Sequence, residues 1–540
     1  MAKKMMTTNG EDPQELENYY LDSASGAFSD KTLSKLADVA RILDAAVTQS
    51  PENGLVLHFH GGLNSRDYAL HDIVPRLTKL YLEDAKAYPL FFVWESGLKE
   101  ALINNKQELL KDPTFRELVK KVTEWTLKKA TLTGNLVVRG VGGTLGNGTE
   151  DEFRGQFDAF FNGDPQQPCP PVPDECSTAG VIPTVVKTSL SATLEIELVK
   201  AIKKQLEAGT DPDFNVAIGK AYNALVTPAE VVTRGAVTGT SERADKVLLS
   251  EAAINEMFPP EPGSTTRGFF TWIGVATYVA KLVLAVVARY REHRDHGLYC
   301  TVIEELLRSA FLDLVGSNVW NQMKNDTADS FKAGEFCGTA VVGKLKALQD
   351  DNKGFKKLTL VGHSTGAIYI CNFLNAAKNA GLTFDKVQVI FLAPAITCSR
   401  FAAAIKEHRN GFLTNFRMFA MRDERESQDK LVSILYTRSL LYFVSGLLEG
   451  QVTAGKWEGI VDMPLVGMER FFLASLKGTF GGDEGENIQT VFTFLQGEHN
   501  RTVWSPSLDI GAGLNSNSAS HGDFDNDETT LKSITHLITT

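Results

Sequence analysis

The residues best suited to chemistry form the pentapeptide Gly362-His363-Ser364-Thr365-Gly366, which directly follows a short apolar run. The run at 358–361 predicts a buried strand, and the apolar spacing over 368–377 predicts a helix after the pentapeptide. At such a turn a serine between two glycines projects its hydroxyl clear of the backbone, because a Cβ at either glycine would collide with the adjoining elements. Ser364 is therefore the predicted nucleophile, and an incidental tight turn is the alternative.

A serine hydroxyl needs a histidine to remove its proton and a carboxylate to orient that histidine. Three histidines, His499, His521 and His536, lie beyond the last predicted strand at 490–495. We predict His521 as the base, because its glycine-flanked loop just before a helix is well placed to reach the serine. His499, in a polar turn, is the alternative, whereas His536 lies inside the last predicted helix.

Asp423 is the first carboxylate after a predicted strand at 416–421, and it is the predicted orienting acid. Glu426 and Glu424 are the alternatives in the same segment. No carboxylate closely follows the preceding strand, predicted at 387–394. A solvated run of charges is the other explanation of this acidic segment.

The tripeptide His60-Gly61-Gly62 follows a second apolar run at 55–59, and its glycines provide a bend without side-chain bulk. Negative charge that develops on a substrate oxygen is best stabilised by fixed backbone N–H groups. The N–H groups of Gly62 and Thr365 are the predicted donors, and the helix after Ser364 directs its positive end to the same place.

Neighbouring histidines are predicted to support these turns. His60 and Gly61 would brace the bend, and His363 would brace the serine turn. A metal site at His58 and His60 is the alternative, but it lacks a carboxylate or cysteine at a suitable spacing. We therefore predict no metal and no cofactor.

The acidic run at 523–528 is similar to the opening of a calcium loop. It lacks the central glycine and the distal glutamate of an EF-hand. Capping of the last helix by Asp525 or Asp527 is the preferred explanation.

Charge and cysteine content narrow the class of protein. The net charge is −11, from 55 basic and 66 acidic residues, and no basic patch alternates with aromatics, so no nucleic-acid partner is predicted. The first ten residues lack the apolar core of a secretory signal.

The six cysteines mostly lie in apolar surroundings and predict reduced thiols, although Cys169 and Cys176 flank a proline-rich loop in which a local disulfide is the alternative. We therefore predict a cytoplasmic location.

Strands and helices alternate over 51–95 and again over 355–540, as is typical of a parallel sheet. Residues 1–50 are predicted to form a polar arm and a helix, and residues 96–354 a helical insertion that includes a loop at 139–185. Helices are predicted at 32–47, 70–85, 102–131, 191–208, 214–226, 267–292, 302–323 and 431–448.

The stretch 268–288 is apolar enough to bear on membranes, and it contains one lysine, Lys281. A lysine near the centre of a bilayer costs roughly 2.5 kcal/mol or more. A buried helix of the insertion is the preferred interpretation. A helix that contacts a membrane surface or acyl chains, and a true membrane span, are the alternatives.

These features together resemble the α/β-hydrolase superfamily, in particular its lipase and esterase branches. The resemblance rests on the serine pentapeptide, on His60-Gly61-Gly62 after an earlier strand, on a late acid and on Ser520-His521-Gly522, and it covers about 54–95 and 355–540. It implies a doubly wound, mostly parallel α/β sheet with a triad of Ser364, Asp423 and His521. The insertion departs from the pattern, because caps in this superfamily more usually follow the strand after the nucleophile.

The resemblance implies hydrolysis of a carboxylic ester through an acyl-enzyme. Apolar helices close to the serine favour an acyl or lipid-like substrate. An amidase, thioesterase or acyltransferase with the same triad is one alternative, and a ligand-gated or non-catalytic module is another. The sequence does not predict the oligomeric state.

Overall fold

The computed structural model places one large parallel sheet at the centre of the molecule. The described residues are 16–62, 65–94, 108–132, 192–226, 248–260, 270–311, 317–431, 435–453, 456–459, 461–476, 478–497 and 500–540. The strands are β1 (Tyr20–Ser23), β2 (Leu55–Phe59), β3 (Tyr88–Trp94), β4 (Lys357–His363), β5 (Lys386–Leu392), β6 (Asn415–Met421), β7 (Gly450–Thr453), β8 (Lys456–Gly459) and β9 (Thr502–Ser505). Seven of them pair in parallel in the order β1-β3-β2-β4-β5-β6-β9, whereas β7 and β8 form a separate antiparallel pair. The predicted α/β class is confirmed.

Helices cover both faces of the sheet, because alternate strand residues bury against different layers. In β2, Leu55 and Leu57 join one apolar cluster and Val56 joins the other. The helices on the first face are Leu36–Gln49, Cys337–Asp350, Gly366–Asn379, Cys398–His408 and Gly482–Leu495. Those on the second face are the consecutive segments Arg66–Tyr68, Ala69–Ile73, Val74–Lys79 and Leu80–Asp84, and the final helix Glu528–Thr539.

Between β3 and β4 the described secondary-structure elements are helices. We call the following elements the insertion helices: Pro113–Leu132, Ala192–Glu207, Pro212–Val226, Glu251–Met257, Trp272–Arg291, Leu298–Ala310 and Ser317–Asp329. They share one apolar core, which extends to Ala395 and Leu465 of the sheet region. The remaining short helical segments are Asp423–Glu426, Leu440–Phe443, Val444–Leu448, Glu469–Phe472, Ala474–Leu476 and His521–Asp523.

The helix Trp272–Arg291 is, by length and composition, apolar enough to cross a membrane. Most of its apolar window is buried in the protein, and it packs against Ala192–Glu207 and Pro113–Leu132. Lys281 pairs with Glu256 near the surface. This position is that of a core helix of the insertion, the preferred sequence interpretation.

The sheet order determines where a site can form. β2 pairs with β3 on one side and with β4 on the other, so Leu57 lies opposite both Leu90 and Leu360. The direction of chain progression therefore reverses between β2 and β4. In open parallel sheets a ligand crevice forms at such a reversal, outside the carboxyl ends of the strands. The serine turn follows β4 and the double-glycine bend follows β2, so both lie at the carboxyl ends of the two strands where this reversal occurs.

The strand predicted at 490–495 is wrong, because these residues belong to the helix Gly482–Leu495. Val491, Phe494 and Leu495 are buried at helical spacing, and their β-branched and aromatic character suggested a strand. The last strand of the sheet is instead β9, a short element containing two hydroxyl residues that the sequence did not reveal.

Other boundaries also differ from the prediction. The helix predicted at 302–323 is two helices, Leu298–Ala310 and Ser317–Asp329, and the one predicted at 431–448 is helical only from Leu440. The N-terminal arm contains the edge strand β1. The loop 139–185, with Cys169 and Cys176, and the alternative base His499 lie outside the described residues.

Gly366→Ala is expected to destabilise the protein by about 1–3 kcal/mol, because a new methyl group there has no room. A Cβ at Gly366 would lie 2.3 Å from the carbonyl oxygen of Phe59 in β2. Urea unfolding monitored by circular dichroism measures the change. The matched control is Gly343→Ala on an exposed helix face with open space around it, which is expected to be neutral or stabilising by up to about 1 kcal/mol. Equal midpoints for the two variants would contradict the expected clash.

Candidate active site

The serine turn has the geometry that the sequence predicts. Ser364 has a φ of +54°, a left-handed conformation that is strained for a residue with a side chain. The turn is braced by the end of β5, since the Ser364 N–H donates to the Leu392 carbonyl at 2.8 Å and the Ser364 carbonyl accepts from the Ala395 N–H at 3.1 Å. A Cβ at Gly362 would lie 2.7 Å from the Gly366 carbonyl group, so the close approach of strand and helix requires the glycine.

The double-glycine bend lies directly against this turn. A Cβ at Gly61 would lie 3.2 Å from the Ser364 Cβ, and one at Gly62 would lie 2.9 Å from the Thr365 Oγ1. Among the described contacts, neither the Gly62 nor the Thr365 backbone N–H has an acceptor. Two predicted oxyanion donors are thus available on either side of the serine.

His60 contacts this bend and the neighbouring strand. Its Nδ1 lies 2.9 Å from the Gly61 carbonyl oxygen, its Nε2 accepts from the Trp94 N–H at 3.2 Å, and its ring stacks on the Trp94 indole. Burial lowers the pKa of His60 to about 4, so the ring is neutral and its Nδ1–H donates to Gly61. Both ring nitrogens are therefore engaged by the backbone. Within the described residues, no group of His, Cys, Asp or Glu side chains is arranged to hold a metal ion.

His521 lies beside the serine turn, with its ring 5.3 Å from the ring of His363. It is 3% exposed, and among the described residues neither ring nitrogen has a hydrogen-bond partner. Burial, followed by the charge on His363, lowers the pKa of His521 well below its ordinary value. The imidazole is neutral and can accept a proton, as a general base must.

The Ser364 hydroxyl, like the His521 ring, is buried without a hydrogen-bond partner among the described residues. Ser364 is 1% exposed. A buried polar group without a partner costs about 1–3 kcal/mol, and such groups often mark functional sites. The predicted nucleophile and the predicted base are thus both buried, and among the described residues neither forms a side-chain hydrogen bond.

The structure does not join Asp423 to His521. The Asp423 Oδ1 accepts from the Tyr442 hydroxyl at 2.7 Å, and its backbone N–H donates to Glu469 at 2.9 Å. The Tyr442 ring meets the ring of His296 edge-on. Asp423 therefore contacts the structural network between the insertion helices and the sheet region. The sequence had suggested it as the orienting acid because it is the first carboxylate after the strand.

That network is buried and charged. His296 lies between the carboxylates of Glu304 and Asp462, at 2.8 Å from each, and Arg289 and Arg470 pair with the same two carboxylates. Glu304 and Arg289 belong to insertion helices, whereas Asp462 and Arg470 follow β8. These contacts attach the insertion helices to the rest of the protein.

The alternative acids are also poorly suited to orient a histidine. Burial raises the pKa of Glu426 well above its ordinary value, and Asp429 and Asp423 add to the rise, so the protonated form of this carboxyl group is favoured. A protonated carboxyl supplies no negative charge to an imidazolium. Glu424 is exposed to solvent.

The carboxylate that does contact His521 is Asp429, which the sequence argument missed. Its Oδ2 accepts from the His521 backbone N–H at 2.8 Å. Burial raises the pKa of Asp429, and the His521 N–H opposes the rise. The segment after β6 continues past its first carboxylate before it meets the loop of His521, so a rule based on the first acid after a strand could not identify Asp429.

His363 and the loop after His521 make a further buried contact. The His363 Nε2 lies 2.9 Å from the His521 carbonyl oxygen, and its Nδ1 faces the Asp525 carboxylate at 3.6 Å. Asp527, two residues further on, accepts from the Thr530 N–H at 2.9 Å and caps the last helix, as predicted. Asp525 does not cap the helix, because its side chain is turned towards His363.

No protein-family model, curated protein or solved structure matches this chain. Its function is therefore inferred from the geometry of the site.

Proposed function

We propose that this chain is a serine hydrolase of the α/β-hydrolase type, which cleaves a carboxylic ester through an acyl-enzyme. One observation carries the proposal: Ser364 sits at a left-handed strand-to-helix turn that lies against the double-glycine bend and beside His521, and neither its hydroxyl nor the His521 ring has a hydrogen-bond partner among the described residues. In this proposal the insertion helices form the cap over the site.

The reaction follows from these positions. The Ser364 Oγ attacks the ester carbonyl carbon while His521 removes its proton, and the N–H groups of Gly62 and Thr365 stabilise the oxyanion. His521 then returns the proton to the alcohol oxygen as the carbon–oxygen bond breaks. Water attacks the acyl-enzyme in the same way, His521 takes and returns its proton, and the carboxylic acid leaves with Ser364 restored.

Asp429 is proposed as the carboxylate that orients His521, in place of Asp423. It is the one described carboxylate that contacts this residue directly. When His521 becomes positively charged during the reaction, a carboxylate next to it stabilises the imidazolium. The contact through the backbone N–H also fixes the loop from which the ring extends.

The surroundings of the oxyanion donors support an acyl or lipid-like substrate. A Cβ at Gly62 would lie 2.1 Å from the Cε of Met323, which belongs to an insertion helix. Met323 is part of the apolar core that also contains Ala395, whose N–H binds the Ser364 carbonyl. The acyl chain would therefore lie among insertion side chains. Peripheral membrane contact through 268–288 and a cytoplasmic location are further parts of this proposal.

A gated module is the second candidate, because Ser364 is 1% exposed. In that case the insertion helices would admit substrate only after a ligand or partner displaces them. An amidase, thioesterase or acyltransferase would use the same residues and differ in the leaving or accepting group.

Intact-protein mass spectrometry after treatment with a fluorophosphonate probe tests the proposal. We expect one adduct per chain, located by peptide mapping at Ser364. Esters of increasing acyl length then measure chain preference, with longer acyl groups favoured. Folded wild-type protein that forms no adduct, with or without lipid vesicles, would contradict the proposal; an adduct only with vesicles would favour the gated module.

A further inference from the structure

The main chain of His521 is held on both sides by ionisable side chains. Its N–H donates to the Asp429 carboxylate at 2.8 Å, and its carbonyl accepts from the His363 Nε2 at 2.9 Å. Asp429 lies after β6, whereas His363 is the last residue of β4. Two separate parts of the sheet edge therefore fix one residue.

The contact from His363 is backed by Asp525. The Asp525 carboxylate lies 3.6 Å from the His363 Nδ1, and both side chains are at least 96% buried. The backbone carbonyl of Asp525 in turn accepts from the Arg76 guanidinium. His363 thus hydrogen-bonds through its Nε2, and its Nδ1 faces, across 3.6 Å, a carboxylate whose charge favours a second proton on the ring.

We propose that His363 and Asp525 are positioning residues, which hold His521 at Ser364 and, when His363 is protonated, place a positive charge beside its ring. This inference rests on the proposed function and adds residues that the triad itself does not include. The same pair ties the loop 521–525 to the serine turn, so the base and the nucleophile keep a constant separation.

The charge at this site has a definite sign. Burial alone would lower the pKa of His363, but the Asp525 carboxylate and the His521 carbonyl raise it above its ordinary value. Burial and the charge of His363 then lower the pKa of His521. While His363 is protonated, its charge therefore favours the neutral, proton-accepting form of His521.

The other ionisable groups that face this pair do not reverse that sign. His58 is neutral, because burial lowers its pKa to about 3, and His60 on the neighbouring bend is neutral for the same reason. Arg76 is positive and lies beyond Asp525, whereas Asp429 is bound to the His521 N–H. The Asp523 carboxylate is turned away and accepts from the Ala519 and Ser520 N–H groups.

Two substitutions at His363 separate position from charge. His363→Gln keeps a donor for the His521 carbonyl and removes the charge, so kcat at high pH is expected to change little while the acidic limb of kcat/KM moves to higher pH. His363→Leu removes both, and is expected to lower kcat by about 10–100-fold with KM unchanged. The matched control is His58→Gln, a buried histidine that binds Tyr81 and does not contact His521.

A second readout does not depend on turnover. Carbon-13 NMR of labelled histidine rings measures the pKa of His521 in wild type and in His363→Gln, and we expect a higher value in the variant. The inference would be overturned if both His363 variants kept the wild-type pH profile, the wild-type kcat and the wild-type pKa of the His521 ring. A loss of kcat in His58→Gln equal to that in His363→Leu would also overturn it. Failure of the probe to label wild-type protein would instead count against the hydrolase itself, while the NMR comparison would still test the His363 charge.

Discussion

Ser364→Ala and His521→Ala are each expected to lower kcat/KM for an ester substrate by at least about 10⁴-fold. Without the Ser364 hydroxyl no acyl-enzyme can form, and without the His521 ring the hydroxyl keeps its proton. Because the two residues act as one unit, the double variant is expected to be no worse than either single variant. Steady-state kinetics and probe labelling measure all three proteins.

The control for these variants is His536→Ala, which alters a histidine of the final helix that the proposed reaction does not use. It is expected to retain wild-type kinetics. Losses that add when Ser364→Ala and His521→Ala are combined would show that the two residues act independently. If Ser364→Ala protein still hydrolysed the ester, the nucleophile would have to be a different residue.

Asp429→Asn is expected to lower kcat by about 10²–10⁴-fold, because the neutral amide does not stabilise the charged form of His521. Asp423→Asn is expected to keep most of the activity, since the Asn oxygen still accepts from the Tyr442 hydroxyl. Both changes keep side-chain size, so the comparison isolates the charge. Steady-state kinetics over a range of pH measures the two variants side by side.

The Asp423 and Asp429 variants are expected to differ in the property that is lost, stability or activity, as well as in the size of the loss. Asp423 contacts Tyr442, which lies against the charged network of the insertion helices, so Asp423→Asn is expected to act mainly on thermal unfolding. A large loss of kcat in Asp423→Asn with none in Asp429→Asn would restore the original assignment of the acid.

The serine turn could be predicted from sequence because its requirements are local. Gly362 is needed because the strand and the helix on either side of Ser364 approach closely, whereas Gly366 is needed because the helix also packs against Phe59 of the neighbouring strand β2. The bend at Gly61 and Gly62 follows the same logic, since an apolar strand must end where a tight turn begins. In each case the evidence lies within a few residues.

The orienting acid could not be predicted in this way, because it depends on where two distant loops meet. Asp423 and Asp429 are six positions apart, and only the packing of the segment after β6 against the loop of His521 distinguishes them. The last strand was missed for a related reason. β9 is short, and its place is set by pairing with β6 more than by its own residues.

The position of β2 between β3 and β4 also has consequences for synthesis of the chain. β2 can pair with β3 soon after both emerge, but its other partner, β4, follows roughly 260 residues after the end of β3. At a synthesis rate of about 5–20 residues per second, the second edge of β2 stays unpaired for on the order of 15–50 s before β4 is made. That edge is an apolar, unpaired template during this time, and such edges promote aggregation. The nascent chain is therefore expected to depend on a ribosome-associated chaperone until β4 has been made.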